Sequence, residues 1–131
     1  MTLAGAIKDF WRNYFTFKGR SSRRTYWLGI LFLAIVTIVL DRVFPGTTYT
    51  HVDALGHKQE QYVLSVVLDA WLGLTIIPAL AAGSRRLHDT GKSAGRLFWL
   101  LLPGVGPLLL LIWLTRAGDL ALNQHGEPPA K

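Results

Sequence analysis

The sequence predicts an all-α integral membrane protein: an amphipathic N-terminal helix and three transmembrane helices, with a short β-hairpin in the first outer loop. Three observations lead there. Half of the 131 residues are apolar against 17% charged, which excludes a disordered tail or linker and suits a single domain. The apolar residues are gathered into three long blocks, not spread at the short spacings of a soluble core. Nearly all the charge lies in the polar stretches around them, and those stretches hold mean hydropathy to +0.30.

The first element covers residues 1–20. Apolar residues fall at Leu3, Ile7, Phe10, Trp11, Tyr14 and Phe15, with Lys8, Asp9, Arg12 and Asn13 opposite, a helical stripe. An aromatic face against a partly basic one suits the bilayer interface, with packing on the other helices as the alternative. Gly19 is the expected breaker. No small-residue cleavage pattern follows the first apolar block, so the N-terminus is expected to be retained.

Ser21 or Ser22 should cap the first span, placed at residues 25–44, with Tyr26 and Trp27 as interfacial anchors. Its uncharged part, Thr25 to Leu40, is 16 residues long, about 24 Å of helix. Asp41 and Arg42 then reach the far interface, and Pro45 and Gly46 end the span. Residues 47–61 are polar, with β-prone runs on either side of Asp53-Ala-Leu-Gly56, and read as the hairpin. Residues 62–84 form the second span, interrupted by Asp69 and by Pro78, with Arg85 and Arg86 as the stop. An inner basic loop occupies 85–96. The third span is placed at 97–115, and a polar tail at 116–131. Pro103-Gly-Val-Gly-Pro107 breaks this third block. A kinked crossing helix is the expectation. The alternative is a re-entrant hairpin, whose arms would each be too short to cross.

Lys and Arg set the orientation. Six precede the first span and four separate the second from the third, while the hairpin and the tail hold two each. Ten against four favours a cytoplasmic N-terminus, with the C-terminus periplasmic or external.

Two groups of polar residues stand out. Arg20, Arg23 and Arg24 end one segment and Arg85, Arg86, His88 and Lys92 end another, all on the inner side, where they could bind anionic headgroups or an acidic partner. The plainer reading is that they set topology and complement helix dipoles, with Gly91 as a left-handed cap. Within the membrane, Asp69 lies about 10 Å below the outer end of the second span. A carboxylate there needs water, a proton or a partner, and Arg42 and Arg116 are the expected partners. Gly73, Ile76 and Leu80 share its face, and Ala79 with Gly83 forms a small-xxx-small pair, the mark of an internal or oligomeric seam.

Several chemistries drop out. With no cysteine, disulfides, thiolate metal sites and cysteine nucleophiles are excluded. His88 and Asp89 point about 100° apart on a helix, and no nucleophile has a matching spacing. Pairing His57 with Val52 across the turn puts it opposite His51 and Asp53, leaving too few ligands for a metal. Despite an isoelectric point near 10.1, the basic residues flank apolar spans and form no free basic domain, which argues against nucleic acid.

Three stretches carry a family resemblance: Phe15-Thr-Phe-Lys-Gly-Arg-Ser-Ser-Arg-Arg-Thr-Tyr-Trp27, Arg85-Arg-Leu-His-Asp-Thr-Gly-Lys-Ser93, and Gly118 with Asn123, Gly126 and Pro129. Together they resemble the YhaH-like bacterial inner-membrane family, a domain of unknown function, over nearly the whole chain. The resemblance implies three spans and an inner-membrane location, and it implies no activity. Thr25 stands where that family often has glutamate, Gly95 and Arg96 where it usually has tryptophans, and His125 in place of an aromatic. The expectation is a non-enzymatic protein without cofactors, binding anionic membrane lipid or another membrane protein as a scaffold or assembly factor. The alternative is a subunit of a small homo-oligomeric transporter or channel.

Overall fold

The computed structural model describes residues 2–63 and 65–129. Met1, Leu64, Ala130 and Lys131, which the expected segments 1–20, 62–84 and 116–131 include, lie outside the described residues. The elements in order are α1 (Leu3–Arg12), α2 (Arg23–Val43), β1 (Thr47–Val52), β2 (Lys58–Val63), α3 (Val66–Asp89), a 3-10 helix (Ala94–Leu101) and α4 (Val105–Thr115). They divide into two compact units. One joins the residues up to Phe32 to those from Ile76 onward, and the other is Leu33–Thr75.

Two helices, α2 and α3, are long and apolar enough to cross a membrane, and α4 is a shorter apolar helix. In α2, Ser22 accepts the Thr25 amide on Oγ at 3.2 Å, and the two hydroxyls lie 2.9 Å apart. Thr25 thus supplies part of what the missing glutamate would have given. Pro78 lies inside α3 and is fully buried.

Within the Leu33–Thr75 unit, the two strands pair antiparallel from Thr47↔Val63 to Val52↔Lys58. The expected turn register is one residue off. His57 faces Asp53, not Val52, because the Asp53 amide donates to the His57 carbonyl at 3.0 Å. The Asp53 carboxylate organises the loop by accepting the Leu55 and His57 amides at 2.9 and 2.8 Å. Those amides, His57's foremost, hold its pKa below the ordinary carboxylate value. In the same unit, Trp71 Nε1 donates to Thr37 Oγ1 at 2.9 Å and ties α2 to α3.

The second long helix starts later than expected, because Tyr62 and Val63 belong to β2. Ser65 caps it through the Leu68 amide. Asp69 therefore stands in the first turn of α3, where a carboxylate complements the helix dipole, and is not deep in a span. It is exposed, and among the described residues it has no ion pair with Arg42, which ends α2. Arg85 and Arg86 do not stop α3. The helix runs through them to Asp89 and closes at Gly91 (φ +68°), with the Lys92 amide donating to Leu87 O and the Gly91 amide to His88 O. This is a Schellman cap, and glycine accepts its left-handed residue without strain.

The other unit corrects two further expectations. The first helix is α1 alone, ten residues capped by Thr2, and it ends before Gly19. One face packs on protein, the alternative weighed for it: Ala6 and Phe10 are buried, and Phe10 fills the space beside Gly29 of α2. The block 97–115 is not one helix. The 3-10 helix ends at Leu101, the chain turns through Pro103 and Gly104 (φ +82°), and α4 begins at Val105. The two arms lie against each other, with Trp99 and Trp113 packed edge to face at 6.1 Å and the Arg96 guanidinium 4.5 Å from the Trp113 ring centroid. At about 2 Å per residue for the first arm and 1.5 Å for the second, each is only about 16 Å long. Neither is long enough to span a bilayer.

Candidate functional site

The polar residues of the larger unit meet around Asp89, in the last turn of α3. One oxygen of its carboxylate faces Arg20, whose Nε and Nη2 both lie 3.0 Å from Oδ1. The other oxygen accepts Arg86 Nη1. The carboxylate is almost wholly enclosed: Asp89 is 4% exposed, Arg86 0%, and the Arg20 side chain 1%. Charges so deeply removed from water persist only when their remaining donors are also satisfied. Here backbone carbonyls satisfy them. Arg20 Nη1 donates to Ala121 O at 2.8 Å and Gly126 O at 3.1 Å, and its Nη2 to Asp119 O. Arg86 Nε donates to Leu114 O at 2.9 Å, Nη1 to Ser21 O at 3.4 Å, and Nη2 to Arg116 O. One Arg–Asp–Arg cluster thereby ties the segment before α2, the end of α3 and the tail together.

The sequence explains why the tail comes so close. Gly118 has no side chain where one would collide with Asp89, since a Cβ there would lie 1.9 Å from Oδ2. This lets the Asp119 amide donate to Asp89 O at 2.8 Å. Gly118→Ala should therefore lower thermal stability by about 1–3 kcal/mol, the cost of overpacking. A melting curve of the variant equal to the parent's would show that the tail does not pack there. Asn123 adds a second tie through Nδ2 to His88 O at 3.1 Å, and His125 stacks on His88 with ring centroids 3.8 Å apart. The two imidazole rings lie nearly parallel, 7° apart.

Of the residues singled out in the sequence, Arg20, Arg86 and His88 converge, but inward; His88 Nδ1 faces Gly19 O at 3.1 Å. Arg85 is buried as well, with Nη1 on Asp9 Oδ2 of α1 at 3.0 Å. Arg23 and Arg24 are exposed and Lys92 is half-buried. Arg116 is held through its carbonyl by Arg86, which stands in the last turn of α3, whereas Asp69 is in the first. Among the described residues it forms no ion pair with Asp69. Sequence reasoning weighed Asp89 as an acid–base partner of His88 and Ser21 as a cap, and it passed over Asp119. The available signal was Arg86 and Asp89 at i and i+3, a spacing that puts opposite charges on one face of a helix.

Beside this cluster lies an open groove of about 660 Å³, lined by Ser22, Arg23, Asp89, Gly118, Asp119 and the segment at Pro128–Pro129. A second, apolar crevice of about 320 Å³ is bordered by Tyr26 and Trp27 of α2, Ala79 and Gly83 of α3, and Leu110 and Leu114 of α4. Gly83 brings the 3-10 helix close, with Leu97 Cδ2 3.3 Å from where its Cβ would be.

Residues 14–127 match the family described as "Protein of unknown function (DUF805)". The chain is 30% identical over 120 residues to "Inner membrane protein YhaI" of Escherichia coli strain K12, covering 90% of this chain and 89% of that protein. It is 31% identical over 118 residues to "Inner membrane protein YhaH" of the same strain, covering 90% of each. No solved structure matches. The matched region contains both long apolar helices and every residue of the Arg–Asp–Arg cluster, and the chain belongs to the DUF805 family of proteins of unknown function, whose relatives here are inner membrane proteins.

Proposed function

We propose that the protein is a non-enzymatic scaffold of the bacterial inner membrane, with two crossing helices and both termini in the cytoplasm, whose folded inner cap docks on anionic lipid. One observation carries this reading: the Arg20–Asp89–Arg86 cluster holds the segment before α2 and the tail after α4 at the same end of α3. If α2 and α3 cross, the hairpin of the 3-10 helix and α4 enters the bilayer from the inner side and returns. Such irregular backbone is tolerated in a membrane where protein covers it. The charge distribution supports this arrangement better than a third crossing does. Only Arg42 and Lys58 then remain on the outer side, against twelve of the fourteen Lys and Arg on the inner side.

With Arg20, Arg85 and Arg86 engaged internally, the lipid-facing role passes to the exposed Lys8, Arg12, Lys18 and Arg24, with Lys92. Each adds about 1 kcal/mol of attraction near an anionic leaflet, less after screening. Replacing Lys18, Arg24 and Lys92 together by glutamine should weaken binding to anionic vesicles several-fold and flatten its salt dependence, with the fold intact. Unchanged binding by the triple variant would remove the lipid role.

A reporter fused after Lys131 tests the topology and should be active only as a cytoplasmic protein. Periplasmic activity would restore three crossings. The alternative of an oligomeric transporter or channel draws no support from Asp69, which lies in the first turn of α3 and not at mid-span.

A further inference from the structure

We infer that the groove beside Asp89 and the apolar crevice below it form one binding site for a single diacyl phospholipid with a primary-amine headgroup. This rests on the inner-membrane reading above and adds a defined ligand to it. The two cavities share no lining residue, but the same two chain segments border both. Arg23 lines the groove, and Tyr26 and Trp27, three and four residues further along α2, line the crevice, so all three share one helix face within about 6 Å of rise. Leu114 lines the crevice, and Gly118 and Asp119 line the groove. The Leu114 and Arg116 carbonyls are both fixed by Arg86, which holds that passage in place. A groove bordered by charged side chains beside a wholly apolar crevice suits an amphiphile such as a lipid.

The charges select the headgroup. The Arg23 side chain forms no hydrogen bond or ion pair among the described residues and lines the groove beside Ser22, which suits a phosphodiester. The carboxylate of Asp119 lines the same groove, and its one hydrogen bond among the described residues comes from Asn123 Nδ2 at 2.9 Å. A cation and a carboxylate with no ion pair among the described residues, in one groove, complement a zwitterion whose phosphate meets Arg23 and whose ammonium donates to Asp119. Asp89 itself takes no part, because Arg20 and Arg86 occupy both its oxygens. A headgroup whose amine is fully methylated offers Asp119 no N–H donor, and a glycerol headgroup offers it no charge.

The test uses the full chain in mild detergent, exposed in turn to phosphatidylethanolamine, phosphatidylcholine and phosphatidylglycerol, with bound lipid counted by native mass spectrometry. One phosphatidylethanolamine per chain should be retained, with about tenfold preference over the other two. Arg23→Gln should lower retention of all three lipids by about tenfold. Asp119→Asn should abolish only the preference. Ala79→Phe, which fills the crevice, should release the diacyl lipid while soluble phosphoethanolamine still binds in the groove. Thermal melting confirms that each variant is folded. Equal retention of the three lipids, parental retention in Arg23→Gln, or parental preference in Asp119→Asn would each overturn the site. Those results would leave the two-span reading standing if the fusion after Lys131 is cytoplasmic, whereas a periplasmic fusion would overturn that reading independently of any lipid.

Discussion

Asp89→Ala is expected to destabilise the inner cap by about 3–5 kcal/mol, the cost of leaving buried charge without its partner. Two guanidinium groups share this one carboxylate, and both are cut off from water. Removing it leaves Arg20 and Arg86 with backbone carbonyls only. The unfolding midpoint in detergent should fall by about 10 °C or more, and trypsin should cleave after Arg116 in the variant long before it does in the parent. An unchanged midpoint and an equally protected tail would show that the cluster does not hold the termini together. The same reasoning disqualifies Arg85→Gln/Arg86→Gln as a probe of lipid binding. It would disturb contacts to Asp9, Asp89, Leu114 and Arg116 before it reported on any headgroup.

Gly106→Ala should be destabilising, and here the sign alone separates two structures. In an uninterrupted crossing helix, alanine is favoured over glycine by about 1 kcal/mol. In the hairpin, a Cβ at position 106 would lie 1.7 Å from the Trp99 carbonyl oxygen and 2.7 Å from its carbon. A backbone carbonyl cannot swing aside as a side chain can, so the arms must separate, at a cost of about 3 kcal/mol or more. The expected result is a lower unfolding midpoint, with the Trp99–Trp113 pair loosened. A midpoint raised or unchanged by alanine would mean that residues 97–115 form one kinked span after all.

These two residues also mark where sequence reading ran out. Pro103 to Pro107 announced a break in the third apolar block, but a kink and a reversal use the same breakers. What distinguishes them is whether the two arms find each other, and that depends on Trp99 meeting Trp113 and on glycine at 106 admitting a neighbouring carbonyl. Asp69 was misplaced by four residues of boundary. Tyr62 and Val63 are apolar enough to read as the start of a span, yet their backbone groups are committed to β1. The basic residues were found but assigned outward, because an arginine at the end of an apolar helix looks the same in sequence whether it faces headgroups or a carboxylate from elsewhere in the chain.

By itself the sequence determined the two long apolar helices, the hairpin between them, the left-handed cap at Gly91 and the basic charge that flanks the apolar segments. These follow from local causes: unbroken apolar length, β-prone residues around a turn, a glycine where a helix stops, and charge flanking lipid-soluble segments. The tertiary structure alone decided that Arg20, separated from Asp89 by 69 residues, shares its carboxylate with Arg86, and that the tail returns to the end from which α2 starts. Local patterns report what each segment can do with solvent or lipid. A buried ion cluster is set by which segments together exclude water, and that depends on pairings between residues far apart in the chain.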